Sequence, residues 1–132
     1  MNTAPSEIAK AEQGKTTVAG KPLLSTHVLD TARGAPASGV PVILYKCVNE
    51  TWVHLKEGVT EHNGRCADLA KPDDFEAGRY KLQFKVGRYF EDLKINSMYP
   101  VIDVIFDIRD AKDHHHIPLL LSPFGYTTYR GS

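Results

Sequence analysis

Only two cysteines, two methionines and one tryptophan occur among the 132 residues, and neither sign of charge dominates. The 16 Lys and Arg balance the 16 Asp and Glu, so the formal net charge is zero and the chain has no electrostatic footprint for nucleic acid or an anionic membrane surface. No apolar run approaches the roughly 20 residues that span a bilayer, and Met1 to Gly20 has no apolar core of the signal-peptide kind. Cys47 and Cys66 stand outside any Cys-x-x-Cys spacing, which points to free thiols in a reducing compartment, with a single disulfide as the alternative. Ser132 ends the chain without a Ser-Lys-Leu type address, so a cytoplasmic location is expected, with a peroxisomal one left open.

A chain of 132 residues, 42% hydrophobic and 24% charged, provides for one domain with a buried core. Residues 1–20 are rich in Ala, Thr, Lys, Glu and Gln, with only Ile8 and Val18 as large apolar residues beyond Met1. They read as a disordered N-terminal arm, and the folded domain as residues 21–132. Within it, Tyr80, Leu82, Phe84 and Val86 alternate with Lys81, Gln83 and Lys85, the period of a half-buried strand. Val40 to Tyr45, Trp52 to Leu55, Val101 to Ile108 and Ile117 to Leu121 are further β-rich runs. Turn chemistry separates them at Gly34-Ala-Pro36, Asn63-Gly64, Ala77-Gly78 and Ser122-Pro-Phe-Gly125. Arg88 to Ile95 breaks the rhythm and places Tyr89, Leu93 and Phe90 along a helical face. Seven or eight strands with one short helix predict an all-β, antiparallel β-sandwich.

Six histidines are present, three of them consecutive. On a strand, His114 and His116 project together while His115 points away. Such a pair is either the polar edge of a strand start or two zinc ligands awaiting a third. Ser122-Pro-Phe-Gly125 fits a type I turn. If Leu121 pairs with Tyr126 across it, Pro118 falls opposite Tyr129 and His116 opposite Gly131, gathering two imidazoles and a phenol on one face. His27 lies in Leu23 to Asp30, where Ser25, His27 and Leu29 share the wetter face. Arg65 follows the Asn63-Gly64 turn, where its guanidinium could clamp a planar anion.

Three segments together resemble the transthyretin-related 5-hydroxyisourate hydrolases. They are Leu24-Ser-Thr-His-Val-Leu-Asp30 with Thr31, Gly34, Pro36, Ala37 and Gly39; Asn63-Gly64-Arg65; and Ile117-Pro-Leu-Leu-Leu-Ser-Pro-Phe-Gly-Tyr126 with Tyr129-Arg-Gly-Ser132. The resemblance covers essentially Lys21 to Ser132. It implies a transthyretin-like two-sheet sandwich assembled as a homotetramer, a dimer of dimers, with sites in clefts between dimers. It implies His27, Arg65 and His116 as catalytic residues, and Tyr129, Arg130 and Ser132 as substrate-binding residues beside His27 and Arg65. The implied reaction is hydrolytic opening of 5-hydroxyisourate, with no metal or organic cofactor. A departure is that the family's His-Tyr-His reads His-His-His here, with His115 in the middle. The alternative reading is a transthyretin-like small-ligand binding protein without catalysis.

Overall fold

Alternating burial sets the first strand, β1 (Leu24–Asp30): Leu24, Thr26, Val28 and Asp30 are buried, while Ser25, His27 and Leu29 are half-buried on the other face. The computed structural model describes residues 23–70 and 75–132, so the arm expected over residues 1–20 lies outside it. After β1 come β2 (Ala35–Pro36), β3 (Pro41–Val48), β4 (Thr51–Val59), β5 (Arg65–Ala70), β6 (Gly78–Phe84), the helix α1 (Val86–Asp92), β7 (Ile102–Ile108), β8 (His115–Ser122) and β9 (Gly125–Thr128). One sheet runs β2-β1-β8-β9 with β5 also paired to β1; the other runs β4-β3-β6-β7.

The expected sandwich with one short helix is therefore present, and the two-residue β2 is the element beyond the expected seven or eight strands. Two features differ from the sequence reading. The pairing of β1 with β8 is parallel, in a molecule whose other described pairings are antiparallel. A parallel neighbour cannot be reached by a hairpin, and here the two strands are separated by most of the domain. The helix also begins and ends earlier than Arg88 to Ile95: it buries Val86, Tyr89 and Phe90, and Leu93 is its partly exposed C-cap. Lys94, at φ 59°, turns the chain out of the helix just beyond it.

The core lies between the sheets, where Leu24, Val28, Leu119 and Leu121 meet Val42, Leu44, Leu82 and Phe84 with essentially no exposure. Each such side chain contributes roughly 1.5–3 kcal/mol on burial. Tyr89 ties the helix to β1, because its hydroxyl donates to Asp30 Oδ2 at 2.7 Å and accepts from Arg33 Nη1 at 2.8 Å. Asp30 Oδ1 accepts the backbone N–H groups of Ala32 and Arg33, so this buried carboxyl is fully engaged. Cys47 is half-buried and Cys66 buried, and no disulfide joins them. Among the described residues no helix is long and apolar enough to cross a membrane.

Candidate active site

The register of three strands brings distant residues onto one outer sheet face. His27 of β1 pairs with Arg65 of β5 on one side and Pro118 of β8 on the other. Two residues earlier on β1, Ser25 pairs with His116, and His116 in turn bridges to Gly131. Laterally paired residues share a face, and positions two apart on a strand share it too. Arg65, His27, Pro118, Ser25, His116 and Gly131 thus occupy two adjacent rungs of the same surface. The turn that sets this register is the expected one: Leu121 pairs with Tyr126 and Ser122 with Gly125, whose carbonyl accepts from Ser122 Oγ.

Each side chain is fixed by identifiable contacts. His27 Nε2 lies 2.8 Å from the Asn63 carbonyl oxygen. A carbonyl only accepts, so Nε2 carries the proton and Nδ1 of the neutral ring presents a lone pair. The loop supplying that carbonyl depends on Gly64, at φ 81°, where an added Cβ would lie 2.4 Å from the Val28 carbonyl oxygen and 3.2 Å from His27 Cδ2. Asn63 Oδ1 also accepts the N–H of Arg65, closing the turn onto the start of β5. His116 Nδ1 is 2.9 Å from Ser25 Oγ, and the same hydroxyl is 3.3 Å from His114 Nε2. The His114 and His116 rings lie nearly parallel, with centroids 6.3 Å apart.

The electrostatics follow from this crowding. Partial burial is the main cause of a lowered pKa at His27, aided by the Arg65 cation and opposed by the bond to Asn63. His116 is lowered for the same first reason, then by Arg65, His114 and His27, and opposed by a bond to the Ser25 backbone. Both imidazoles are therefore held neutral, beside a guanidinium on an exposed residue.

His115 turns away, as strand parity predicts. It is buried toward the sandwich interior, with Nδ1 3.0 Å from the Asp113 carbonyl oxygen. The residues of the C-terminal tail separate. Gly131 sits against His116, and Arg130 Nη2 reaches the His114 carbonyl oxygen at 3.4 Å. Tyr129, 54% exposed, lines a cavity of about 500 Å³ with Val104, Phe106, His115, Ile117 and Thr128. The hydrogen bonds that join Ser25, His114 and His116 do not include it. Ser132 is exposed beside Gly131. For the zinc reading, the described residues hold no group of three or more His, Cys, Asp or Glu arranged for a metal ion. The hydroxyl of Ser25, shared by His114 and His116, is the contact sequence reading missed. The signal was present, since Ser25 and His27 share a face, but the parallel partner strand could not be read from it.

Gly131 offers a local test. An added Cβ would stand 2.7 Å from His116 Cδ2, on a ring already held by Ser25. Gly131→Ala is expected to leave melting behaviour unchanged while lowering any His116-dependent rate by up to about 10²-fold, the cost of a misplacement near 1 Å.

Comparison with known proteins gives concordant findings. The family model described as HIUase/Transthyretin family matches residues 24–131. The 5-hydroxyisourate hydrolase of Salmonella dublin is 43% identical over 114 residues, covering 86% of this chain and 84% of its own. The solved 5-hydroxyisourate hydrolase of Klebsiella pneumoniae superposes with a TM-score of 0.72 at 37% identity, over 84% of this chain and 94% of its own. Sea bream transthyretin, solved in complex with thyroxine, gives a TM-score of 0.80 at 30% identity, over 83% of this chain and 94% of its own.

Proposed function

Because the chain belongs to the HIUase/transthyretin family, we propose that it hydrolyses 5-hydroxyisourate to 2-oxo-4-hydroxy-4-carboxy-5-ureidoimidazoline, a step of urate degradation toward allantoin. The observation that carries this reading is a pair of half-buried histidines, His27 and His116, whose surroundings disfavour protonation, beside the Arg65 guanidinium on one sheet face. Lactam opening needs a base for water, a cation for the developing oxyanion, and a proton for the departing ring nitrogen. The His27 Nδ1 lone pair and the His116 Nε2 atom, the nitrogen turned away from Ser25, are the two candidates for proton transfer. Water oxygen bonds to the carbonyl carbon, the carbon–nitrogen bond breaks, and the proton taken from water is returned to the nitrogen. Arg65 holds the substrate and the oxyanion. Arg130 and Ser132 approach from the tail, and Tyr129 contributes from the neighbouring cavity rim. No metal or organic cofactor enters. A carrier role, the alternative, has no use for two imidazoles whose protonation is disfavoured first by burial and then by a neighbouring cation.

The test is the ultraviolet decay of 5-hydroxyisourate, generated in place by urate oxidase, with and without this protein. Marked acceleration supports the reading, whereas spontaneous decay in the presence of folded protein sinks it.

The acid limb of the kcat/KM profile is expected below pH 6.5, because both histidines lose protons more readily than a free imidazole. Arg65→Gln removes a cation that lowers both, so the limb moves upward in pH along with the loss of rate. The sign for stability is the same: the contribution of these groups is present above pH 6.5 and is lost as the pH falls through the lowered folded values.

We further propose a homotetramer. Strands β7 and β9 are sheet edges carrying exposed Ile105 and Tyr126, with exposed Phe124 in the turn just before β9, and such edges are ordinarily covered. Sedimentation is expected to give the mass of four chains; an active monomer would contradict a site between dimers.

A further inference from the structure

We propose that Ser25 is a positioning residue of this site: its hydroxyl, bridging His114 and His116, couples the tautomer of His116 to the protonation of His114 and relays a proton between the two rings. This rests on the hydrolase reading of the His116 face.

A serine hydroxyl has one proton and lies here 2.9 Å from His116 Nδ1 and 3.3 Å from His114 Nε2. It can donate to only one ring and must accept from the other for both contacts to be hydrogen bonds. Two arrangements satisfy this. In the first, His116 Nδ1–H donates to Ser25 Oγ and Ser25 donates to His114 Nε2, which leaves a lone pair on His116 Nε2. In the second, His114 Nε2–H donates to Ser25 Oγ and Ser25 donates to His116 Nδ1, which leaves a proton on His116 Nε2. The first arrangement makes His116 a base and the second makes it an acid.

The interconversion balances. A proton taken from water enters at His116 Nε2, the Nδ1 proton passes to Ser25, and the serine proton passes to His114 Nε2. His116 thus ends neutral, and His114, protonated on both nitrogens, carries the positive charge opposite the oxyanion. Reversal delivers a proton from His116 Nε2 to the departing nitrogen. The serine ends each pass as a neutral hydroxyl.

The surroundings explain why such a bridge matters. The charge at His116 is influenced by Arg65 from β5, His27 from β1 and His114 just before its own strand, and Arg130 of the tail touches the His114 carbonyl. An imidazolium at His116 is disfavoured in this company, so export of the proton to half-buried His114 keeps the ring neutral while the oxyanion exists. Nothing in the packing of β1 demands a hydroxyl at this position, since Ser25 lies on the outer face and the core face is supplied by Leu24 and Thr26.

Three readouts on the full chain test the proposal. Nitrogen-15 shifts of the His116 ring, measured without substrate, report its tautomer. Ser25→Ala is expected to change them while the backbone amide spectrum and melting temperature stay as in the natural chain. Steady-state kinetics are expected to show kcat falling about 10- to 100-fold with KM little changed, the usual cost of removing a group that orients a working histidine. The solvent-isotope proton inventory of kcat is expected to change from curved, with several protons in flight, to linear. Ser25→Thr, which keeps the hydroxyl on a strand-compatible residue, is expected to restore all three. Unchanged ring shifts in Ser25→Ala overturn the proposal, as does a kcat loss with the inventory unaltered. If the natural chain does not hydrolyse 5-hydroxyisourate, the functional reading fails, while the ring shifts still decide whether Ser25 sets the tautomer.

Discussion

Replacing His116 by asparagine is expected to lower the rate of 5-hydroxyisourate hydrolysis by about 10²–10⁴, the range for loss of a general acid or base. The expectation rests on position. His116 stands at the junction of β1, β8 and the tail, paired with Ser25 and bridged to Gly131, and Arg65, His27 and His114 all act on its charge. Asparagine is smaller and keeps polar atoms near Ser25, so the fold should survive and the loss should appear in kcat. The ultraviolet assay with matched melting curves reads both. A variant that melts like the natural chain and retains its rate would remove His116 from the chemistry and leave His27 as the remaining imidazole candidate.

The second large effect concerns stability. Gly64→Ala places a side chain at φ 81° and drives its Cβ to 2.4 Å from the Val28 carbonyl oxygen. Left-handed strain alone costs roughly 1–2 kcal/mol, and the carbonyl cannot move freely because β1 is paired on both sides. A total on the order of 2–4 kcal/mol is expected, lowering the melting temperature by roughly 10 °C or more. Gly34 is the control: it also has positive φ, 66°, but nothing lies within 4 Å of an added Cβ. Gly34→Ala should cost only the conformational part. Equal losses in the two variants would show that the close approach at Gly64 is relieved by small shifts. Because Gly64 also abuts His27, its alanine variant should lose activity at temperatures where it remains folded.

Much of this arrangement was legible in the residues. Ser122-Pro-Phe-Gly125 is a turn with a defined register, so pairing of Leu121 with Tyr126 and of His116 with Gly131 followed by counting. Strand parity alone turned His115 inward. Other features had no local signal. Asn49 and Glu50, both at positive φ, form the tight connection from β3 to β4 without a glycine to announce it. Strand β5, Arg65–Ala70, was not read as a strand because its short mixed sequence has little β character of its own; its pairing with β1 is a tertiary choice. Leu93 fits the helical face by spacing, yet the helix ends before using it. Tyr129 shows how far counting can reach: the register carries to Gly131, but where a phenol beyond the last strand rests depends on the cavity beside it.

The parallel pairing of β1 with β8 also has a consequence for how the protein is made. Ser25 and His116 are separated by 91 positions, and every rung between β1 and β8 spans a comparable stretch. Loops of that length close slowly. During synthesis β1 emerges early and must wait, its edge open, until nearly the whole domain has left the ribosome. A chain stalled before His115 therefore holds a β1 that can pair with β2 and β5 but whose other edge is open, and the candidate site lacks its β8 half. Prematurely terminated products are expected to aggregate or be degraded rather than to retain partial activity, so the candidate-site face serves as an end-of-synthesis checkpoint for the fold.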